Sequence, residues 1–173
     1  WAPDDSAIAF TGLRGGLTDL YVYDLQTNRL RRLTTDVFAE LQPAWSPDGR
    51  RIAFATDRFT SDMATLSFGP YGLAVIDVQS GLVDRVLADT KGKAINPQWA
   101  PDSQALYFIS DRDGVSNVYR VGADGGSTSQ VTTIATGVSG ITPHSPALRP
   151  RTSRRCSRCG RRERSTRRSS KIG

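Results

Sequence analysis

The stretch Trp45-Ser46-Pro47-Asp48-Gly49-Arg50-Arg51-Ile52-Ala53-Phe54 decides the fold, because its pattern stands at three places in the chain. At the start it reads Trp1-Ala2-Pro3-Asp4-Asp5-Ser6-Ala7-Ile8-Ala9-Phe10, and later Trp99-Ala100-Pro101-Asp102-Ser103-Gln104-Ala105-Leu106-Tyr107-Phe108. A degraded fourth start, Ser145-Pro146-Ala147-Leu148, aligns with Gln42-Pro43-Ala44-Trp45 when Leu148 takes the place of the tryptophan. Self-similarity at a period of roughly 40 to 55 residues marks a solenoid, a propeller or an array.

Each part of the unit has a physical role. Ser46, Pro47 and Gly49 occupy positions i, i+1 and i+3 of a type I turn, and the proline presets its own φ. Asp5 and Ser103 stand where Gly49 stands, which predicts that this position needs no positive φ. After the turn, Ile8 and Phe10, Ile52 and Phe54, and Leu106 and Phe108 share one strand face, while Ala9, Ala53 and Tyr107 point the other way. Apolar groups on both faces predict a strand covered on both sides. Each tryptophan is expected to wedge between neighbouring sheets with its N–H on a carbonyl.

Between these runs the chain offers further strands. Leu20 to Tyr23, Leu73 to Ile76 and Asn117 to Val121 read as third strands; Leu30 to Thr34, Val83 to Leu87 and Gln130 to Thr132 read as fourth strands. Gly12 to Gly16, Asp24 to Arg29, Gln79 to Gly81 and Asp124 to Gly126 are expected turns. No helical period is present. The reading is an all-β chain, a partial β-propeller of about three four-stranded antiparallel blades followed by a disordered basic C-terminal tail. Blades are expected near 1–35, 41–88 and 95–133, with the start of a further blade at 145–148.

The Trp-Ser-Pro-Asp-Gly turn, the Ile-Ala-Phe strand, the Asp57-Arg58 and Asp111-Arg112 pairs and the Leu-Tyr or Val-Tyr strand resemble the WD-like Pro-Asp repeat of TolB-like β-propellers. The repeat residues carrying this are Trp1, Pro3, Asp4, Trp45, Pro47, Asp48, Gly49, Trp99, Pro101 and Asp102. The resemblance covers residues 1–148. It implies a periplasmic or cell-envelope protein that binds protein partners. The same blades occur in gating propellers of prolyl-oligopeptidase and tricorn-like serine peptidases, which is the alternative. Three blades do not close a ring, and the chain opens on a repeat tryptophan rather than a methionine or leader, so a fragment is expected.

The net charge of +6 for 173 residues conceals two unlike parts. Residues 1–148 carry 12 Lys and Arg against 16 Asp and Glu, whereas 149–173 carry 11 Lys and Arg against Glu163. The body is therefore acidic, and nucleic-acid binding is expected only through the tail. Both cysteines, Cys156 and Cys159, lie in that tail and supply two ligands where a zinc site wants four. The abrupt change of pattern inside a repeat points to a segment out of frame with the blades. No apolar run is long enough for a transmembrane helix.

Catalysis has little to work with. His144 is the only histidine, Gly137-Val138-Ser139-Gly140 lacks the glycine spacing of a nucleophile elbow, and neither a metal nor a cofactor is expected. Asp111-Arg112-Asp113-Gly114 places its glycine wrongly for a calcium loop. The binding candidates lie between second and third strands, on the face shared with the blade links. In the second unit that loop is expanded and carries Phe59, Met63, Leu66, Phe68 and Tyr71, read either as a binding loop or as a satellite cluster on a neighbouring blade. Asp57, Arg58, Asp111 and Arg112 are candidates too, although aspartates at such corners also cap turns.

Overall fold

A computed structural model describes residues 1–141, so His144, the 145–148 start and the basic tail lie outside the described residues. Every regular element in it is a strand. The first sheet is antiparallel in the order β1 (Ala7–Arg14), β2 (Leu17–Asp24), β3 (Arg29–Arg32). The second runs β4 (Glu40–Trp45), β5 (Arg51–Thr56), β6 (Gly72–Asp77), β7 (Val83–Arg85), and the third β8 (Ala94–Trp99), β9 (Ala105–Ser110), β10 (Asn117–Gly122), β11 (Gly125–Gln130). Consecutive strands are neighbours throughout, as in a propeller blade.

The repeated turn has one geometry in all three copies. The N–H of Asp5, Gly49 and Ser103 donates to the carbonyl of Ala2, Ser46 and Ala100 at 3.0, 2.9 and 3.0 Å. Asp4, Asp48 and Asp102 each accept the N–H two residues on, from Ser6, Arg50 and Gln104 at 3.1, 3.0 and 2.9 Å. That aspartate closes the hairpin through its own side chain, which is why it recurs. The expectation for the next position fails. Asp5, Gly49 and Ser103 have φ of 59°, 75° and 60°, so all three are left-handed. The chain leaves the type I turn for the returning strand through this one left-handed residue in every copy, and aspartate tolerates that conformation better than most side chains.

The core has two layers, one at each sheet boundary. Ile52, Phe54, Ala74 and Ile76 of the second sheet meet Ala7, Leu20 and Val22 of the first. Ala53, Leu73 and Val75, on the opposite face of the second sheet, meet Leu106, Phe108, Tyr119 and Val121 of the third. β5 and β6 are thus covered on both faces, as their two apolar faces predict. β1 is not. Its Ile8 and Phe10 face is the one that in β5 and β9 points to the preceding sheet, and here Phe10 stacks on Tyr21 at 5.7 Å and stays partly open to solvent.

The tryptophans divide in the same way. Trp99 donates its indole N–H to the Ala44 carbonyl of the second sheet at 2.8 Å. Trp45 packs on the boundary with the first sheet, but its N–H turns back to the carbonyl of Gly49 at 3.1 Å. Trp1 is 71% exposed, contrary to the expected wedge, because no described sheet faces it.

Three boundaries also move. Gly12 to Arg14 belong to β1, and only Gly15 and Gly16 form the turn; their φ of 63° and 88° give the primed hairpin that suits strand twist. The last strand of the third sheet starts at Gly125 rather than Gln130, because Gly122 pairs with Gly125 around a two-residue loop. β7 stops at Arg85; the Val86 N–H still reaches the Leu73 carbonyl of β6 at 3.0 Å, and the Val86 and Leu87 side chains fill the second core layer.

Candidate functional site

Strand pairing sets which loops share a surface. Glu40 pairs with Thr56 and Ala94 with Ser110, so the start of each innermost strand abuts the corner that follows the second strand of its sheet. The hairpin at Gly15-Gly16, the 57–71 loop, the 111–116 corner and the links at 33–39, 86–93 and 131–141 therefore lie at one end of the stack.

The two Asp-Arg pairs stand in equivalent places there. Asp57 accepts the Ala39 N–H at 2.8 Å, and Asp111 accepts the Lys93 N–H at 2.9 Å. Arg58 donates to Asp36 at 2.6 Å, and Arg112 donates to Asp89. Thr56 and Ser110 each accept the arginine N–H of their own corner at 3.3 Å. In both sheets the aspartate ties a corner to the incoming link and the arginine ties it to an acid earlier in that link. Each arginine also lies over an aromatic ring of its own sheet, Phe54 or Tyr119. All four side chains thus have intramolecular partners. The carboxylates of Asp111 and Asp113 diverge, the latter accepting the Tyr119 hydroxyl at 2.7 Å. Burial and that bond push the Tyr119 hydroxyl up to about 12.

The second sheet adds a buried acid. Glu40 accepts Arg58 at 2.8 Å and the Thr34 hydroxyl at 2.9 Å, with no side-chain surface open to water. Loss of hydration outweighs the arginine and raises its pKa to about 7. At the same place in the third sheet stands Ala94. A glutamate where the repeat allows alanine was the signal that sequence reading passed over. The left-handed Gln42 and Asn96, each before a proline, were missed too, although Gln-Pro and Asn-Pro recur at one position of the repeat. Gln42 accepts the Asn96 N–H across the sheet boundary at 2.7 Å.

The expanded loop splits into a foot and a tip. At the foot, Phe59 packs on the first core layer beneath the Arg85 guanidinium, 5.3 Å from its ring centre. The Ser61 hydroxyl donates to Asp57 at 2.7 Å and the Thr60 hydroxyl to the Pro70 carbonyl at 2.7 Å. Gly69 lies so close to Thr60 that an added Cβ would fall 2.4 Å from the threonine Cβ. Tyr71 and Met63 are half-buried. Phe59, Tyr71, Arg85, Leu87 and Lys91 line a shallow cleft with space for about one water molecule.

The tip is closed by Asp62 and Ser67, which exchange backbone hydrogen bonds of 2.7 and 3.0 Å. Asp62 also accepts the Ala64 N–H and the Thr65 hydroxyl, both at 2.9 Å, and these bonds lower its pKa, the hydroxyl most. Leu66 and Phe68 project from this frame, each 70% exposed. So the expanded loop is satellite packing at Phe59 and a presented apolar surface at Leu66 and Phe68. Among the described residues, no three His, Cys, Asp or Glu side chains group as a metal site would need.

No protein-family profile matches the chain. Among curated relatives, it is 28% identical over 144 residues to dipeptidyl-peptidase 5 of Porphyromonas gingivalis, covering 76% of this chain and 20% of that protein. It is 30% identical over 118 residues to the TolB homolog of Chlorobaculum tepidum, covering 68% of this chain and 25% of that protein. The chain therefore spans a quarter or less of either. A solved structure, the putative TolB from Agrobacterium tumefaciens, superposes with a TM-score of 0.67 at 25% identity over 79% of this chain and 46% of the other. With the repeated Pro-Asp turns, the three stacked antiparallel sheets and these likenesses together, the chain has a TolB-like β-propeller fold.

Proposed function

We propose that this chain is the partner-binding part of a non-catalytic β-propeller of the bacterial cell envelope, TolB-like in role as well as fold, and that its loop end takes protein partners. The observation that carries the reading is the division of labour at that end. The Asp-Arg corners are neutralised within the protein, whereas the expanded loop holds a leucine and a phenylalanine out into solvent on a hydrogen-bonded frame. Exposed apolar side chains on an ordered loop cost solubility and add nothing to the core. A protein interface is where such groups are repaid by burial.

The second reading, a gating propeller attached to a serine peptidase, is supported by the likeness to dipeptidyl-peptidase 5. The two readings separate on one reagent. A fluorophosphonate probe labels an activated serine nucleophile. The full chain in its native host should stay unlabelled, and replacement of residues 62–67 by two glycines should abolish its association with envelope proteins while the fold remains. Labelling of the full chain would favour the peptidase reading.

A further inference from the structure

We infer that Leu66 and Phe68 form a preformed, convex apolar anchor that inserts into an apolar pocket on the partner protein, with Phe59 and Tyr71 holding its base. This rests on the protein-binding reading above and assigns the residues within it.

Leu66 is anomalous on two counts. Its φ of 54° is a left-handed conformation, which a leucine adopts at a steric cost and a glycine or asparagine adopts freely. It is also 70% exposed, so the side chain is not there to fill the core. The other left-handed side chains are short, polar or both: Asp5, Asn28, Gln42, Asn96 and Ser103. Leucine at that position destabilises the free protein. Strain of that kind at an exposed residue points to a role outside the free fold.

The frame beneath it supplies the rigidity an anchor needs. The Asp62–Ser67 backbone pair closes the tip, the Asp62 carboxylate holds Ala64 and Thr65, and Ser61 and Thr60 fasten the foot. The backbone of the tip is therefore framed before binding, which lowers the entropic cost that a loop without such bonds would meet. Apolar side chains at the centre of an interface carry most of its energy when they enter a pocket that excludes water.

Charge identifies the class of partner. Residues 59–71 contain no lysine or arginine, and the one ionised group, Asp62, is spent inside the loop. Nearby Arg58, Lys93 and Arg112 are paired with carboxylates and Arg85 faces backbone carbonyls of its own link, which leaves Lys91 in the cleft below the loop foot and Arg14 beside the first hairpin as the described cations of this end without an ion pair, neither of them on the tip. An anionic bilayer or a nucleic acid has little to hold at this tip. A convex apolar projection offers no cavity to a small molecule. A pocket-bearing protein fits.

The test places a photoreactive phenylalanine analogue, one position at a time, at 68, at 13 on the end of β1 and 115 on the 111–116 corner of the same end, and at 82. Position 82 lies on the β6–β7 turn, where Leu82 is 68% exposed and serves as the control. The full chain is irradiated in its native host. The expected result is one protein adduct, strongest from position 68 and weaker from 13 and 115, mapped from 68 to apolar residues of the partner, cut at least tenfold by L66D and absent from position 82. In the purified chain L66G should raise the melting temperature by about 2–4 °C while lowering adduct yield. Adducts from 13 or 115 without one from 68 would overturn the anchor and leave the protein-binding reading standing; no adduct from any of the three would overturn both. Equal labelling at 68 and 82, or co-sedimentation with phosphatidylcholine or phosphatidylglycerol vesicles that L66D abolishes, would overturn the inference. A lower melting temperature in L66G would remove the strain argument and with it the case for Leu66.

Discussion

Arg58 donates a 2.8 Å hydrogen bond to Glu40, a carboxylate with no surface open to water, and this pair joins the expanded loop's corner to the innermost strand of its sheet. Burial wins over the arginine, so the folded chain holds Glu40's proton up to about pH 7, against an ordinary value of 4.5. A group whose pKa rises on folding contributes stability that is full below its unfolded pKa and is lost as pH climbs through the folded one.

Stability should therefore fall between about pH 5 and 8, on the order of 2–3 kcal/mol for a shift of this size. Arg58 and Asp36 are the charged groups that face the same carboxylate. Urea denaturation of the wild type and of E40Q at several pH values checks this. E40Q should lose most of the slope; an unchanged slope would mean that Glu40 is ionised throughout.

The Asp57 and Asp111 carboxylates do one job in two sheets, each accepting a link N–H 18 residues upstream. D57A and D111A should each cost about 1–3 kcal/mol, since each leaves a backbone donor without its partner. D57A should cost more, because it also frees the Ser61 hydroxyl and the half-buried foot of the loop. Equal losses would mean that the Asp57–Ser61 bond adds nothing to the hold of Phe59 and of the Thr60–Pro70 bond on the loop foot.

The left-handed position of the Pro-Asp turn gives a contrast between copies. D5G should stabilise by up to about 1 kcal/mol, because glycine adopts φ near 60° without strain. S103G should not gain, since the buried Ser103 hydroxyl accepts the Asp48 N–H of the neighbouring sheet at 3.1 Å. Thermal melts of both variants decide it. A gain in S103G equal to that in D5G would show the inter-sheet bond to be worth nothing.

Gly69 presses against Thr60 where an added Cβ has no room, so G69A should displace the loop foot at a cost of about 1–3 kcal/mol. Proteolysis within residues 59–71 should accelerate in that variant. Unchanged cleavage would mean that the foot yields without strain.

The fold was legible because the repeat wrote it three times over. Trp, Pro-Asp and Ile-x-Phe recur in register, and a two-residue period bounded by turn residues predicts a short strand with little competition. What escaped was set by neighbours rather than by local pattern. The φ of Asp5 and Ser103 depends on how the hairpin re-enters its sheet, and Trp1 and Phe10 are exposed because cover comes from another sheet. The candidate site was half legible. Composition alone marked the 59–71 loop, but Phe59 and Phe68 are the same residue in a sequence. Only the Asp62–Ser67 closure and the core beneath Phe59 send one inward and the other out. Glu40 was hidden because its partners, Thr34 and Arg58, converge on it from separate segments.

The most direct measurement compares F68D with wild type in two readouts taken together, melting temperature and yield of the partner adduct through loop-end positions 13 and 115. Phe68 is exposed and belongs to neither core layer, so F68D should melt within about 1 °C of wild type and give an adduct yield reduced at least tenfold. A lowered melting temperature with undiminished adduct would contradict it, for Phe68 would then support the fold rather than meet the partner.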